Sequence, residues 1–424
     1  MDFSNPFDLF CNLFFICEIT AIFFYEYLSF LFNKNYTQFI KNITTKLSKK
    51  NIMYVKIFQA ISLNNSFIDD TLNAELIKYT DSVPYFDDDI DKKLLEDISR
   101  QFSLQLTTPI NSGMISLVYK TRFVDKDVII KVKRKNIDQT FEDAIKKLMF
   151  FIKIFSYIPQ INFLNIPNII NKNISLLRKQ LDFEEEVKNT IEMKNNCANL
   201  KYIKIPLIYE TVTKMYPNSI MMEFIEGLHI TKISDDEFNE YAKLVIKYGV
   251  VSLINDSVTH GDLHAGNVIF IKNNEPPMYQ LGLIDFGIVT RIEKNITRLL
   301  LNVLSNLNNS SFSLSEMILN DLIEPRESFL KLPNKDFILN EISNLINETL
   351  NTPKNMNQVR LFEGLKKVNL FFQKHKMHEF RINDDFVKLQ MALAMSQGLA
   401  LHLCRNDYLP FAKSVMDELF HINI

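Results

Sequence analysis

The chain has 424 residues, with Lys+Arg 48 against Asp+Glu 50 and a formal net charge of -2. That balance excludes a general nucleic-acid binder, which needs a surplus of positive charge. At 47% hydrophobic residues the chain is too apolar to be disordered. The four cysteines, Cys11, Cys17, Cys197 and Cys404, form neither a CxxC pair nor a zinc spacing. Unpaired thiols in a reducing intracellular compartment are the expectation.

The first predicted element is the apolar run from Leu9 to Phe32. Its length suffices to span a bilayer. Glu18 and Glu26 interrupt it, and a carboxylate near mid-bilayer costs about 2.5–3.5 kcal/mol. The leading MDFSNPFD lacks the basic start of a signal peptide. A docked helix and a membrane contact through residues 7–33 both stay open. Residues 34–100 read as helical, with breaks near Asn64-Asn65 and at Val83-Pro84. Ile115 to Phe123 and Asp127 to Lys133 are rich in β-branched residues, and Val124-Asp125-Lys126 between them reads as a hairpin turn.

Helical sequence follows from Asp138 to Leu200. Two further strands are predicted, Tyr202 to Tyr209 and Ser219 to Glu226, separated by Tyr216-Pro217-Asn218. Ser234 with Glu237 forms the pattern of a capping box. It would open a helix whose one face carries Phe238, Tyr241, Val245 and Tyr248. Short strands Val268 to Lys272 and Tyr279 to Asp285 come next, and the chain is almost all helical from Arg291 onward. The predicted organisation is a helical extension over 1–100, a small β-rich lobe over 101–226 and a larger helical lobe over 227–424. The fold class is α+β.

Two segments carry chemistry: His260-Gly261-Asp262-Leu263-His264-Ala265-Gly266-Asn267 and Ile284-Asp285-Phe286-Gly287. Asn267 stands five residues after Asp262, and Asp285 stands 23 after it. This matches the protein-kinase order of a catalytic-loop acid, an Asn five residues on, and an Asp-Phe-Gly after a short hairpin. Phosphoryl transfer needs hard oxygen ligands for Mg²⁺, here Asp285 and Asn267. It also needs a carboxylate beside the attacking oxygen, here Asp262. Gly266 and Gly287 are expected to permit tight turns. A zinc site through His260 and His264 would lack a third ligand nearby. Lys131, in Val128-Ile129-Ile130-Lys131-Val132-Lys133, fits a strand lysine that holds the α- and β-phosphates of ATP. Lys133 shares its face and competes for the role. The loop Pro109 to Met114, with Gly113 as its one glycine, is placed to cover the phosphates.

The chain resembles the UbiB family of atypical protein-kinase-like proteins (aarF domain-containing kinases). The family pattern Glu-Leu-Asp-Phe-x-x-Glu-Ala-x-Asn has its counterpart in Gln180-Leu181-Asp182-Phe183-Glu184-Glu185-Glu186-Val187-Lys188-Asn189. The KxGQ signature has its counterpart in Lys56-Ile57-Phe58-Gln59. The similarity runs from about residue 50 to the end. The resemblance implies a bilobal protein-kinase-like fold, ATP and Mg²⁺ as cofactors, and a link to lipid or quinone metabolism. It implies a Glu186–Lys131 pair and a hinge at Glu223-Phe224-Ile225-Glu226 for the adenine edge. It also implies a regulatory cluster in which position 180 and Asp182 face Lys56 and Gln59.

Three departures fall on the specialised parts of this machinery. Phe58 replaces a Gly, Gln180 replaces a Glu, and an alanine-rich loop has become Asn111-Ser112-Gly113-Met114. Gly113 is expected to give that loop extra backbone freedom. The reading is a kinase or ATPase whose phosphoacceptor the sequence does not name. Two alternatives are a small-molecule phosphotransferase like the aminoglycoside or choline kinases, and a pseudokinase acting as a nucleotide-switched binding module.

Overall fold

The computed structural model describes residues 6–55, 83–155, 178–298, 323–351, 361–377 and 379–421, with 58, 72, 75, 76, 174 and 301 singly. The described elements run α1 Pro6–Asn33, α2 Tyr36–Lys50, α3 Lys92–Phe102, β1 Asn111–Ser112, β2 Ser116–Phe123, β3 Lys126–Lys133 and α4 Ile137–Phe155. Then come α5 Phe183–Asn196, β4 Ile203–Lys204, α6 Glu210–Met215, β5 Ser219–Glu223, α7 Phe238–Asp256 and β6 Val258–His260. After β7 Val268–Lys272, β8 Tyr279–Leu283 and β9 Val289–Arg291 stand β10 Ile323–Glu324 and α8 Arg326–Leu330. The chain closes with α9 Lys335–Asn351, α10 Leu361–Lys374, β11 Arg381–Ile382, α11 Asp384–Leu403 and α12 Tyr408–His421. It divides into two compact units, Met1–Lys188 with Leu207–Phe224, and Asn189–Pro206 with Ile225–Ile424.

The first unit is built on the antiparallel sheet β1-β2-β3-β5. Val128, Ile130 and Val132 alternate along β3 into a core shared with Leu117, Tyr119, Met221 and Ile98. The intervening Lys131 and Lys133 therefore lie on the other face. Val124 and Asp125 both take positive φ, 46° and 61°. That makes a two-residue hairpin turn, one residue shorter than the sequence suggested.

Helix α1 resolves the puzzle of its two acids. Phe15, Ile19 and Glu26 are buried on its inner face. Lys46 of α2 pairs with Glu26, Asn42 adds a 2.8 Å hydrogen bond, and Lys50 pairs with Glu18 at 2.6 Å. Phe10, Leu13, Phe14, Phe24, Tyr27, Leu28 and Leu31 are exposed. At each end of the helix they recur at a spacing of three and four residues, and exposed Cys17 and Ala21 bridge Phe14 to Phe24 at the same spacing, so the face is continuous. The helix from Phe10 to Asn33 is long and apolar enough to cross a membrane, and only 17% of its most apolar window is buried.

In the second unit β4 runs parallel to β8, which forms a hairpin with β7. β6 pairs with β9, and β10 with β11. Helix α7 buries Phe238, Tyr241, Val245, Tyr248 and Leu253, and Gly249 marks its crossing with α11. A Cβ on Gly249 would sit 2.7 Å from Cβ of Ser396.

Several sequence expectations are corrected here. Ser234 makes no side-chain cap bond, and a short 3₁₀ turn over Asp235–Glu237 precedes α7. Glu237 is buried and pairs instead with Lys272 of β7, whose hydrogen bond holds its carboxyl below the usual range. The predicted strand from Tyr202 to Tyr209 shrinks to Ile203–Lys204, because Pro206 lacks an N–H and the chain then turns into α6. No described glycine has positive φ, so neither Gly113, Gly266 nor Gly287 uses left-handed freedom.

Candidate active site

Lys131 and Glu186 lie in the first unit. Val118 and Ile220 flank Lys131 in the sheet. Its ammonium lies 2.7 and 2.9 Å from the two carboxylate oxygens of Glu186 on α5. Both side chains are buried, Glu186 to 2% exposure. The ring of Phe183 lies 5.4 Å from the Lys131 ammonium and 5.5 Å from that of Lys133. Lys133 pairs with Asp138 at 3.3 Å. Lys131 is thus the lysine beside the glutamate.

The predicted catalytic-loop residues Asp262, Asn267 and Asp285 lie in the second unit, and His260 organises them. This fully buried imidazole accepts the Asp262 N–H at Nδ1, 3.1 Å, so its proton sits on Nε2 and goes to the Ile284 carbonyl, also at 3.1 Å. Burial pulls its pKa down, and the ring is neutral. Ile284 N–H in turn donates to Asn267 O at 3.0 Å. The side-chain nitrogen of Asn267 donates to Asp262 O at 2.9 Å. Asp262, Asn267 and the residue before Asp285 are therefore tied through one set of hydrogen bonds. With Nδ1 of His264 accepting from Gly266 N–H at 3.1 Å, neither histidine is arranged as a zinc ligand.

Asp285 has φ 62°, the left-handed region that a non-glycine residue rarely adopts. Its Oδ1 accepts from Gly287 N–H at 3.2 Å. Residue types did not reveal what holds the next carbonyl. Asn189, buried on α5, donates to Phe286 O at 3.0 Å and accepts from Arg291 at 2.8 Å, while Arg291 also pairs with Glu192. Asn189 closes the Leu-Asp-Phe-x-x-Glu block, which was the available signal. Gly261 is required for space. A Cβ there would lie 2.6 Å from Ile288 Cγ2 and 2.8 Å from Thr290 Oγ1.

The remaining predicted residues divide. Asp182 is an N-cap for α5, accepting the Glu185 N–H at 3.0 Å. Gln180 has a buried Oε1 with no partner among the described residues. Lys56 and Gln59 lie outside the described residues, and Phe58 is buried and stacks with Tyr54. At the predicted hinge, Glu223 N–H donates to Leu207 O and Phe224 N–H to Asp127 O. Those two backbone donors are already used within the fold.

The oxygen donors of Asp285 and Asn267 suit Mg²⁺, which binds through few protein carboxylates and takes the rest of its shell from phosphate and water. No group of three or more His, Cys, Asp or Glu among the described residues could hold a metal unaided.

A model of the ABC1 atypical kinase-like domain matches residues 79–314, more than half of the chain. A probable protein kinase UbiB from Glaesserella parasuis is 28% identical over 268 residues, 58% of this chain and 48% of that protein. One from Shewanella baltica is 25% identical over 250 residues, 56% of this chain and 45% of that protein. The match thus spans about half the length of these curated relatives. Among solved structures, the complex of Rv3197 with erythromycin from Mycobacterium tuberculosis is 15% identical, with a TM-score of 0.41 over 84% of this chain and 91% of that one. The ADP/Mg²⁺-phosphoaspartate complex of Rio2 kinase from Chaetomium thermophilum is 11% identical, with a TM-score of 0.28 over 70% and 75%. Both structural likenesses are too weak to place a residue or a ligand. On its sheet-based unit, its helical unit and the domain match, this α+β chain of kinase-like fold belongs to the ABC1 atypical kinase-like family, in which the UbiB proteins stand.

Proposed function

We propose that the chain binds Mg-ATP and transfers or hydrolyses its γ-phosphate. The observation that carries this is the acid half of the site: Asp262, Asn267 and Asp285 locked through His260 and Ile284, with Asp285 held at φ 62°. A backbone kept in a costly conformation at a carboxylate supports a functional reason for it. In this reading Asp285 and Asn267 hold the metal, Asp262 receives the acceptor's proton, and Lys131, kept in place by Glu186, neutralises phosphate charge. Glu223 to Glu226 take the adenine edge.

The decisive experiment is a thermal shift of the purified protein with ATP, with and without Mg²⁺, followed by phosphate release with and without liposomes. A Mg²⁺-dependent shift with turnover supports the proposal. A shift without turnover on any acceptor reassigns the chain as a nucleotide-switched binding module. No shift at all overturns nucleotide binding.

Helix α1 adds a location to this reading. Its acids face α2, and the stripe from Phe10 to Leu31 carries no charge, so we infer that it meets the apolar part of a lipid surface.

A further inference from the structure

In sequence, Lys131-Val132-Lys133-Arg134-Lys135 is a basic run of the kind that usually faces water. Arg134 does not, since it is 7% exposed. Its Nε and one terminal nitrogen both donate to Gly113 O, at 3.1 and 2.8 Å. The same terminal nitrogen reaches Ser112 Oγ at 2.8 Å and Val83 O at 3.4 Å. The other pairs with Asp89 at 2.9 Å, and both reach Pro84 O at 3.2 Å. Backbone bonds run alongside: Val83 N–H to Ser112 O, Arg134 N–H to Ile115 O and Lys135 N–H to Asp89 O, each 2.8 Å. One guanidinium therefore joins three segments: residues 83–89, the β1–β2 turn and the end of β3. A buried cation survives only with its donors satisfied, and a planar fork achieves that where an ammonium cannot.

The turn it holds is the one predicted to cover the phosphates. In the β2–β3 register Ser116 faces Lys133 and Val118 faces Lys131, so the turn begins just beyond the phosphate-binding lysine. The Gly113 carbonyl is the wrong end of a peptide dipole to face an anion. Arg134 grips that oxygen with two donors. Because a trans peptide sets its N–H opposite its C=O, the Met114 N–H is then turned away from the guanidinium.

We propose that Arg134 is a positioning residue for nucleotide phosphates, fixing the Gly113–Met114 peptide of the β1–β2 turn with residues 83–89 as its second anchor. The inference rests on the Mg-ATP reading and assigns the peptide orientation within it. The test is calorimetric binding of ATP, ADP, AMP and adenosine to the full chain and to its Arg134→Lys and Asp89→Asn variants. Both variants are expected to weaken ATP and ADP about tenfold, the scale of one lost charge-assisted hydrogen bond, and to leave adenosine within about twofold. Equal weakening of ATP and adenosine means a merely structural role and overturns the proposal, as does unchanged ATP affinity. Should Arg134→Lys fail to fold, Asp89→Asn gives the same readout. An unaltered chain that binds no ATP brings down the nucleotide reading together with this inference. ATP binding whose phosphate dependence survives both variants brings down this inference alone.

Discussion

Lys131 places its ammonium between the two carboxylate oxygens of Glu186, at 2.7 and 2.9 Å, with both side chains out of water. Removing one partner leaves the other buried and uncompensated. Lys131→Met is expected to cost about 3–5 kcal/mol of stability in urea unfolding. The double change Lys131→Met with Glu186→Leu should recover most of that loss and still fail to bind ATP. If ATP binding returns with stability, the pair is structural only. Lys133→Met should spare ATP affinity by comparison.

Asp285→Asn separates metal binding from folding. Asn tolerates the left-handed φ as Asp does, so the melting temperature without ligand should stay within about 0.5 kcal/mol equivalent of the parent. The Mg²⁺-dependent part of the ATP shift should vanish, because the ligand charge is gone. An unchanged Mg²⁺ response would remove Asp285 from the metal site.

Two glycines should respond oppositely to alanine. At Gly261 a Cβ meets Ile288 and Thr290 within 2.8 Å, and overpacking there should cost about 1–3 kcal/mol. At Gly113 the nearest atoms are 3.6 and 3.8 Å away and φ is not positive. Gly113→Ala should be neutral or stabilising by about 0.4–1 kcal/mol through the unfolded chain. Urea titrations of both variants decide it.

The outward stripe of α1 is tested by Phe14→Glu with Phe24→Glu, which leaves the inner face with α2 intact. The full chain should sediment with phosphatidylcholine liposomes equally at low and high salt, since no charge drives the contact. The double variant should remain in the supernatant. A parent chain that never sediments would end the lipid reading.

Cysteine reactivity gives an independent check. Cys197 is buried, and burial, aided by Asp256, pushes its thiol up to about 12. At pH 8 it should stay a protonated thiol and resist iodoacetamide until the chain is unfolded. Exposed Cys17 should react, and liposomes should protect it. Mass spectrometry of the alkylated peptides reads both sites at once.

Much of this was legible in local patterns. Segments rich in β-branched residues marked β2 and β3, and the Asp262, Asn267 and Asp285 spacing marked the acid loop. What escaped depends on partners far along the chain. Asn189 acquires its role from Phe286, 97 residues away, and β10 exists only because Ile323 meets Ile382. The three-residue strands β6 and β9 carry too few residues for any period to show. Ser234 and Glu237 formed a sound capping pattern, but Ser234 makes no side-chain cap bond and the Glu237 carboxyl binds Lys272, far along the chain. Arg134 carries no sequence signal of its own: its neighbours in sequence are lysines, while its neighbours in space are carbonyls.

The pairing of α1 with α2 also bears on how the chain is made. Glu18 and Glu26 leave the ribosome before their partners, which follow 32 and 20 residues later. Until Lys50 and Lys46 emerge, α1 is a segment with two uncompensated carboxylates and is poorly suited to hydrocarbon. Once α2 folds back, those charges are covered and only the aromatic stripe faces outward. On the lipid reading proposed for α1, its affinity is acquired after translation of its neighbour rather than encoded in the run itself.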